Sequence, residues 1–164
     1  MDAASRTQRR RWLLVLLLVI VGGVVLAIRF LAPEAGRVVL RPDDGAITVL
    51  GQRIYAARCA ACHGANLEGQ PNWRQRDAQG RLPAPPHDTT GHTWHHPDEL
   101  LFRITKVGVA KAAGLPGYDS AMPAYEGVLT DDEIIAVLSW IKSRWPAEVR
   151  SKHDEMNRMS KAKP

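Results

Sequence analysis

Both cysteines of this 164-residue chain stand in one short motif, Cys59-Ala60-Ala61-Cys62-His63. With no second cysteine pair, the chain can complete neither a four-ligand zinc site of the usual kind nor a disulfide framework. Two intervening residues space the thiols to match the two vinyl groups of a porphyrin, and the adjacent histidine can bind the iron. The motif therefore predicts one covalent haem c, held through thioether bonds by Cys59 and Cys62, with His63 as a ligand of the metal.

A thiol pair of the thioredoxin type also uses Cys-x-x-Cys, but it normally lies in a βαβ unit. No alternating strand pattern flanks this motif. Apolar residues instead recur before it at spacings of three and four, which predicts an amphipathic helix over residues 45–61. These residues are Ile47, Leu50, Ile54 and Ala57.

A second helix is predicted near the end of the folded part. Thr130 and Glu133 stand three residues apart, the spacing of a capping box, and Pro146 marks the end of the helix. One apolar stripe follows the cap, formed by Ile134, Val137, Leu138, Ile141 and Trp145. A further helix is predicted to begin at Pro97-Asp98-Glu99.

Residues on both sides of the motif complete a wider pattern. It runs Gly51-x-x-x-Tyr55-x-x-x-Cys59-x-x-Cys62-His63-Gly64, then Met122-Pro123, then a capped helix bearing Trp140. With this pattern, the chain from about residue 45 to 146 resembles a class I cytochrome c domain. The resemblance implies an all-α fold of three to four short helices around one haem, with the first and last helices crossing at Gly51 and Trp140. It also implies that a proline after the motif, for which we predict Pro71, offers its carbonyl to the Nδ1–H of His63.

Met122 is the predicted second axial ligand of the iron. Of the four methionines, Met1 precedes the apolar N-terminal run, and Met156 and Met159 stand in a polar, charged tail. Met122 lies in a helix-free stretch shortly before the last helix, where the resemblance places this ligand. A thioether opposite a histidine raises the reduction potential relative to stronger donors.

Four further histidines leave two alternatives open. Neutral imidazole is a common metal ligand, so these residues could bind copper or zinc, or one of them could replace Met122 on the iron. The simpler interpretation is a polar turn before a helix. The four residues are His87, His92, His95 and His96.

The N-terminus predicts a membrane anchor. An apolar run over residues 12–32 follows Arg9, Arg10 and Arg11, and it has the roughly 20 residues that a membrane-spanning helix needs. The basic block predicts a cytoplasmic N-terminus, which would put the rest of the chain in the periplasm or at the cell exterior. A cleaved signal peptide is the alternative, but it would have a shorter apolar core and small residues at its end.

The net charge of +5 belongs to the two ends of the chain, so we do not expect nucleic acid to be a partner. We expect five segments in all, including a disordered basic tail. They are the cytoplasmic N-terminus 1–11, the single-pass anchor in the cytoplasmic membrane 12–32, a tether 33–44, the haem domain 45–149 and the tail 150–164.

The expected function is the transfer of single electrons between redox partner proteins, with no bond made or broken at a substrate. A respiratory chain or a periplasmic dehydrogenase would supply such partners. Two alternatives belong to other classes. A haem enzyme or gas sensor would follow if the sixth site of the iron were open or labile, and a copper-handling protein would follow if the extra histidines bound copper.

Overall fold

A computed structural model describes the backbone of residues 3–31 and 38–161. The chain divides into two units, residues 1–37 and 38–164. Among the described residues there are seven α-helices and one short 3-10 turn, with no β-strand. The all-α fold predicted from the sequence is therefore confirmed.

The first unit contains one helix, α1, over Ala3–Leu31. Its apolar side chains between Trp12 and Val24 are exposed. The side chains of residues 25–31 and the whole of residue 32, which complete the predicted anchor, lie outside the described part. Within that part, we find no helix that combines the length and the apolar character needed to cross a membrane.

The second unit contains six α-helices, more than the three to four predicted. Two of the six are about a single turn long, and another covers most of the C-terminal tail, where the sequence predicted disorder. The helices are α2 over Gly45–Arg58, α3 over Ala60–His63, α4 over Asp98–Val107, α5 over Val109–Ala113, α6 over Asp131–Ser143 and α7 over Ala147–Lys161, and the 3-10 turn covers Thr93–His95.

Helices α2 and α6 cross at Gly51, as the resemblance implies. A Cβ atom added to Gly51 would overlap the backbone carbonyl of Ala136 and lie only 2.8 Å from the Cβ of Trp140. The Trp140 ring in turn packs on the ring of Tyr55, with centroids 4.6 Å apart. The absence of a side chain at Gly51 thus allows the two backbones to approach closely.

Substitution of Gly51 by alanine should lower the stability of the domain. The added methyl group would force α2 and α6 apart, and overpacking of this kind costs about 1–3 kcal/mol. The matched control is Gly45→Ala, at the start of α2, where an added Cβ meets nothing within 4 Å. Urea unfolding should show a lower midpoint for Gly51→Ala alone. Equal midpoints in the two variants would contradict the close crossing.

The capping box of α6 is present as predicted. Thr130 Oγ1 accepts the backbone N–H of Glu133 at 3.3 Å, and the Glu133 carboxylate accepts the backbone N–H of Thr130 at 2.8 Å. The predicted stripe is buried in the core: Ile134, Val137, Leu138, Ile141 and Trp145.

The folded unit begins earlier than predicted, within the proposed tether. Val38 and Leu40 are buried, and the Leu40 N–H donates to the Asp98 carboxylate at 3.1 Å. The next residue, Arg41, donates its N–H to Ser139 Oγ at 2.9 Å. The two buried apolar side chains and the two hydrogen bonds therefore fix residues 38–41 against the folded unit. The remainder of the predicted tether, residues 33–37, lies outside the described part.

The predicted disorder after Val149 is wrong, because α7 continues to Lys161. Its buried face is polar: His153 is fully buried, and Asn157 exchanges two hydrogen bonds with Asp98, at 2.8 and 3.0 Å. Lys142 of α6 donates to Asp154 at 2.6 Å. Hydrophobic periodicity cannot reveal a helix that is attached through buried polar groups.

Acid should weaken this attachment through His153. Burial lowers the pKa of His153, and Lys142 lowers it further, while Asp98, Asp154 and the carbonyl of His96 act in the opposite direction. The unfolded chain binds a proton at this residue near pH 6.5, whereas the folded chain does so only at lower pH. The free energy of unfolding should therefore fall as the pH drops below about 6.5.

Urea unfolding between neutral and acidic pH measures this effect. His153→Gln keeps an N–H donor for the carbonyl of His96 but cannot titrate, so its stability should depend less on pH than that of the wild type. The exposed His95→Gln variant is the control and should keep the wild-type profile. An unchanged profile for His153→Gln would exclude a contribution from this residue.

Candidate functional site

The Cys-x-x-Cys-His motif lies at the junction of α2 and the single turn α3. The carbonyl of Cys59 accepts the N–H groups of Cys62 and His63 at 3.1 and 2.9 Å. This turn brings the two cysteines and the histidine together in one compact segment. Both thiols are free, that of Cys59 half-buried and that of Cys62 exposed. Burial, and to a smaller degree Cys62, raises the pKa of Cys59 to about 11.

Two tyrosines hold the backbone on either side of the motif. The Tyr55 hydroxyl donates to the carbonyl of Gly64, and the Tyr125 hydroxyl donates to the carbonyl of Arg58, each at 2.7 Å. Burial raises the pKa of both phenols, so their protons are retained for these hydrogen bonds. The sequence pattern includes Tyr55 but did not identify Tyr125, which carries no local signal linking it to the motif.

His63 is buried, with only 7 % of its surface exposed, and its orientation is fixed by a hydrogen bond. Its Nδ1 lies 2.9 Å from the backbone carbonyl of Pro85. A carbonyl only accepts hydrogen bonds, so Nδ1 carries the proton and Nε2 keeps a free lone pair. Burial lowers the pKa of His63, against the smaller effect of the Pro85 carbonyl, and this favours the neutral imidazole that binds metals.

The prediction that Pro71 supplies this carbonyl is wrong. Pro71 is exposed and lies in a turn. It belongs to a loop whose two ends are hydrogen-bonded to each other, and the chain contacts His63 only after this loop. Gln70 and Ala84 form that closure: the Gln70 N–H donates to the Ala84 carbonyl at 2.9 Å, and the Ala84 N–H donates to the Gln70 side chain at 3.2 Å. Residues 71–83 therefore form a loop that is closed at its base. Pro85, which follows this loop, is the proline that contacts His63.

Of the four additional histidines, only His87 contacts His63. Its ring stacks on that of His63 with centroids 4.0 Å apart. His87 therefore lies beside the predicted iron ligand rather than opposite it, which does not support a role as the replacement sixth ligand. His92 stacks instead on Trp73, 5.3 Å away, and meets the edge of His96 at 5.2 Å.

The predicted sixth ligand lies in the non-helical segment between α5 and α6. Met122 is half-buried, and its N–H donates to Ser120 Oγ at 3.2 Å. Tyr125, three residues further on, bonds to Arg58, the residue before Cys59. This hydrogen bond holds the segment of Met122 against the end of α2, next to the motif.

Within residues 3–31 and 38–161, no group of three or more His, Cys, Asp or Glu side chains is arranged to hold a metal ion. The predicted haem ligands are a histidine and a methionine, which form a different kind of set. The alternative of a histidine-rich copper site thus receives no support from the described residues.

The residues present fit a haem group in two ways. The free thiols and the lone pair of His63 Nε2, which the hydrogen bond at Nδ1 leaves available, are the donor set that a covalently attached porphyrin requires. The indole N–H of Trp94 is buried without a hydrogen-bond partner among the described residues. An unpaired buried donor costs roughly 1–3 kcal/mol, and a haem propionate is an acceptor that could relieve this cost.

Comparisons with known proteins agree with this fit. The model of the protein family described as cytochrome c matches residues 48–145, which is more than half of the chain. Neither the curated proteins nor the solved structures gave a match. The matched range contains the motif, both tyrosines, Pro85, His87 and Met122. The chain belongs to the cytochrome c family and, as that family implies, carries covalently bound haem c.

Proposed function

We propose that this protein is a membrane-anchored, single-haem electron carrier that transfers one electron at a time between redox proteins on the periplasmic face of the membrane. Cys59 and Cys62 would attach the haem, and His63 and Met122 would be the residues that hold its iron. When bound, the haem supplies a one-electron Fe(III)/Fe(II) couple. The protein makes and breaks no bond at a substrate in this function.

The single observation that best supports the proposal is the environment of His63. The carbonyl of Pro85 accepts a hydrogen bond from Nδ1–H and leaves Nε2 free. This hydrogen bond orients the ring and increases its strength as a ligand. Burial excludes water from this side of the site. A rigid, buried ligand keeps the coordination similar in both oxidation states, and this similarity favours fast electron transfer over chemistry at an open metal site.

The proposed anchor rests on the N-terminal sequence. Residues 12–32 are apolar apart from Arg29, and three consecutive arginines precede them. Arg29 lies near the far end of the run, where its long side chain can extend to the lipid headgroups. Attachment to the membrane would confine the haem domain to a plane and raise its concentration near membrane-bound partners. A respiratory chain or a periplasmic dehydrogenase would provide them.

Fractionation of cells and a visible spectrum test the two parts of this proposal. The full-length wild type, matured in a host that attaches haem, should be in the membrane pellet after washing with high salt and should have a low-spin spectrum. The double variant Leu17→Arg, Leu18→Arg should leave the membrane, because each central arginine costs about 2.5–3.5 kcal/mol on insertion scales. The control Leu17→Ile, Leu18→Ile should stay in the pellet.

A wild type found in the soluble fraction with residues 1–37 removed would contradict the anchor but leave the electron carrier intact. A high-spin spectrum of the wild type would contradict the carrier and favour a haem enzyme or gas sensor with an open site. The mass of the mature protein distinguishes a retained anchor from a cleaved signal peptide.

A further inference from the structure

The imidazole of His87 lies flat against the imidazole of His63. Their centroids are 4.0 Å apart and their planes are inclined by 20°, the geometry of stacked rings. His87 is not part of the cysteine and histidine motif, and no step of the proposed electron transfer uses it. Its contact is nevertheless with the ring that we propose binds the iron.

His87 is itself fixed at three points. Its Nδ1 lies 2.7 Å from the hydroxyl of the buried Thr93. Its backbone N–H donates to the carbonyl of Leu67 at 2.8 Å, and its carbonyl accepts the indole N–H of Trp145 at 2.7 Å. The rings of Tyr55 and His87 meet in an edge-to-face arrangement, with centroids 6.5 Å apart. Two of these hydrogen bonds fix the backbone of His87, and the one to Thr93 orients its side chain.

The contacts of Pro85 and His87 restrain His63 in different ways. The hydrogen bond to Pro85 fixes the position of one ring atom, Nδ1, but leaves the ring plane free to tilt about it. The flat face of His87 restrains the tilt. It also fills the space beside His63 that water could otherwise occupy. Both restraints together define one orientation for the lone pair of Nε2.

We propose that His87 is a positioning residue that sets the ring plane of His63 and thereby the reduction potential of the haem. This inference rests on the proposed binding of iron by His63. The partners that surround a metal ligand orient it and tune the metal, and exclusion of water favours the less charged ferrous state. Loss of the stacked ring therefore lowers the potential.

Spectroelectrochemical titration of the full-length haem protein tests the proposal. At the midpoint potential of the wild type, where the ratio of ferric to ferrous haem is one, this ratio should rise in His87→Leu on the order of tenfold, which corresponds to a fall in potential of about 59 mV for a one-electron couple. His87→Phe restores a flat ring and should return the ratio most of the way to one. His92→Leu, at an exposed histidine that stacks on Trp73 rather than on His63, is the control and should leave the ratio at one.

A second measurement follows the orientation of the ligand directly. The pattern of haem methyl shifts in the proton NMR spectrum of the ferric protein depends on the plane of the axial imidazole. It should change in His87→Leu and return towards the wild type in His87→Phe. Thr93→Val keeps the stacked ring but removes its hydrogen bond, and it should shift both readouts in the same direction by a smaller amount, even if His87→Leu does not fold.

Each outcome has one meaning. Wild-type potentials and methyl patterns in both His87→Leu and Thr93→Val, with a normal low-spin wild type, would overturn the role of His87 and leave the electron carrier intact. A wild type whose iron lacks the histidine ligand would overturn the proposed function itself, and the inference about His87 with it. Altered readouts that His87→Phe does not restore would also overturn the stacking argument.

Discussion

Replacement of Cys59 and Cys62 by alanine should abolish covalent attachment of haem. These are the only two cysteines in the chain, so no other thiol can form a thioether with the porphyrin. Mass spectrometry of the protein from a host that matures c-type cytochromes should show the added mass of one haem in the wild type and none in the double variant. The effect is complete loss, the largest that we expect for any substitution in the domain.

The control for this prediction lies inside the motif. Ala61 stands between the two cysteines. The variant Ala61→Ser leaves both thiols and His63 in place and should therefore retain the haem. The double variant should also lose stability, because the apolar faces of the bound porphyrin would no longer complete the core between the long loops. Detection of the haem mass in the double variant would show that the attachment site has been assigned to the wrong residues.

The features that could be predicted from the sequence depend on neighbours along the chain. A capping box needs only Thr130 and Glu133, three residues apart, and the motif needs only its own five residues. The crossing of α2 and α6 was predictable because Gly51 and Trp140 match the glycine and the aromatic residue at which the first and last helices cross in class I cytochrome c domains. In each case the residue types themselves carry the physical requirement: an acceptor for free N–H groups, two thiols at a set spacing, or a missing side chain.

The features that were missed depend on contacts between distant parts of the chain. The sequence predicts Pro71 as the acceptor for His63, whereas Pro85 is the acceptor in the structure, because a loop closes between Gln70 and Ala84. The proline-rich run around Pro85 was the available signal, but it does not show where the loop closes. The stacking of His87 on His63 follows from that same closure.

The C-terminal helix was missed for a different reason. Its attachment uses His153 and Asn157, which meet Asp98 of α4 in a buried polar cluster. A polar residue that is buried and one that is solvated look identical in a hydrophobicity pattern. Because the basic side chains of α7 gave the segment the composition of a disordered tail, the sequence could predict its charge but not its order.

Substitution of Met122 by leucine should remove the proposed sixth ligand of the iron while preserving a side chain of similar volume. A thioether opposite a histidine raises the reduction potential, so its loss should lower the potential by on the order of 0.1 V, a fraction of the roughly 0.8 V range that axial ligands span. The far-red absorption band of methionine-bound ferric haem should disappear, and the iron should become high-spin or take a ligand from water.

The matched control for this substitution is Met156→Leu, because Met156 is also half-buried but lies in α7. It should keep both the far-red band and the wild-type potential. A second variant, Met122→His, should remain low-spin, lose the far-red band and have a low potential, since imidazole is the stronger donor. An unchanged spectrum in Met122→Leu would mean that Met122 does not bind the iron.

The hydrogen bond from the Tyr125 hydroxyl ties the segment of Met122 to the carbonyl of Arg58. If this hydrogen bond positions the methionine, Tyr125→Phe should weaken the far-red band without abolishing it.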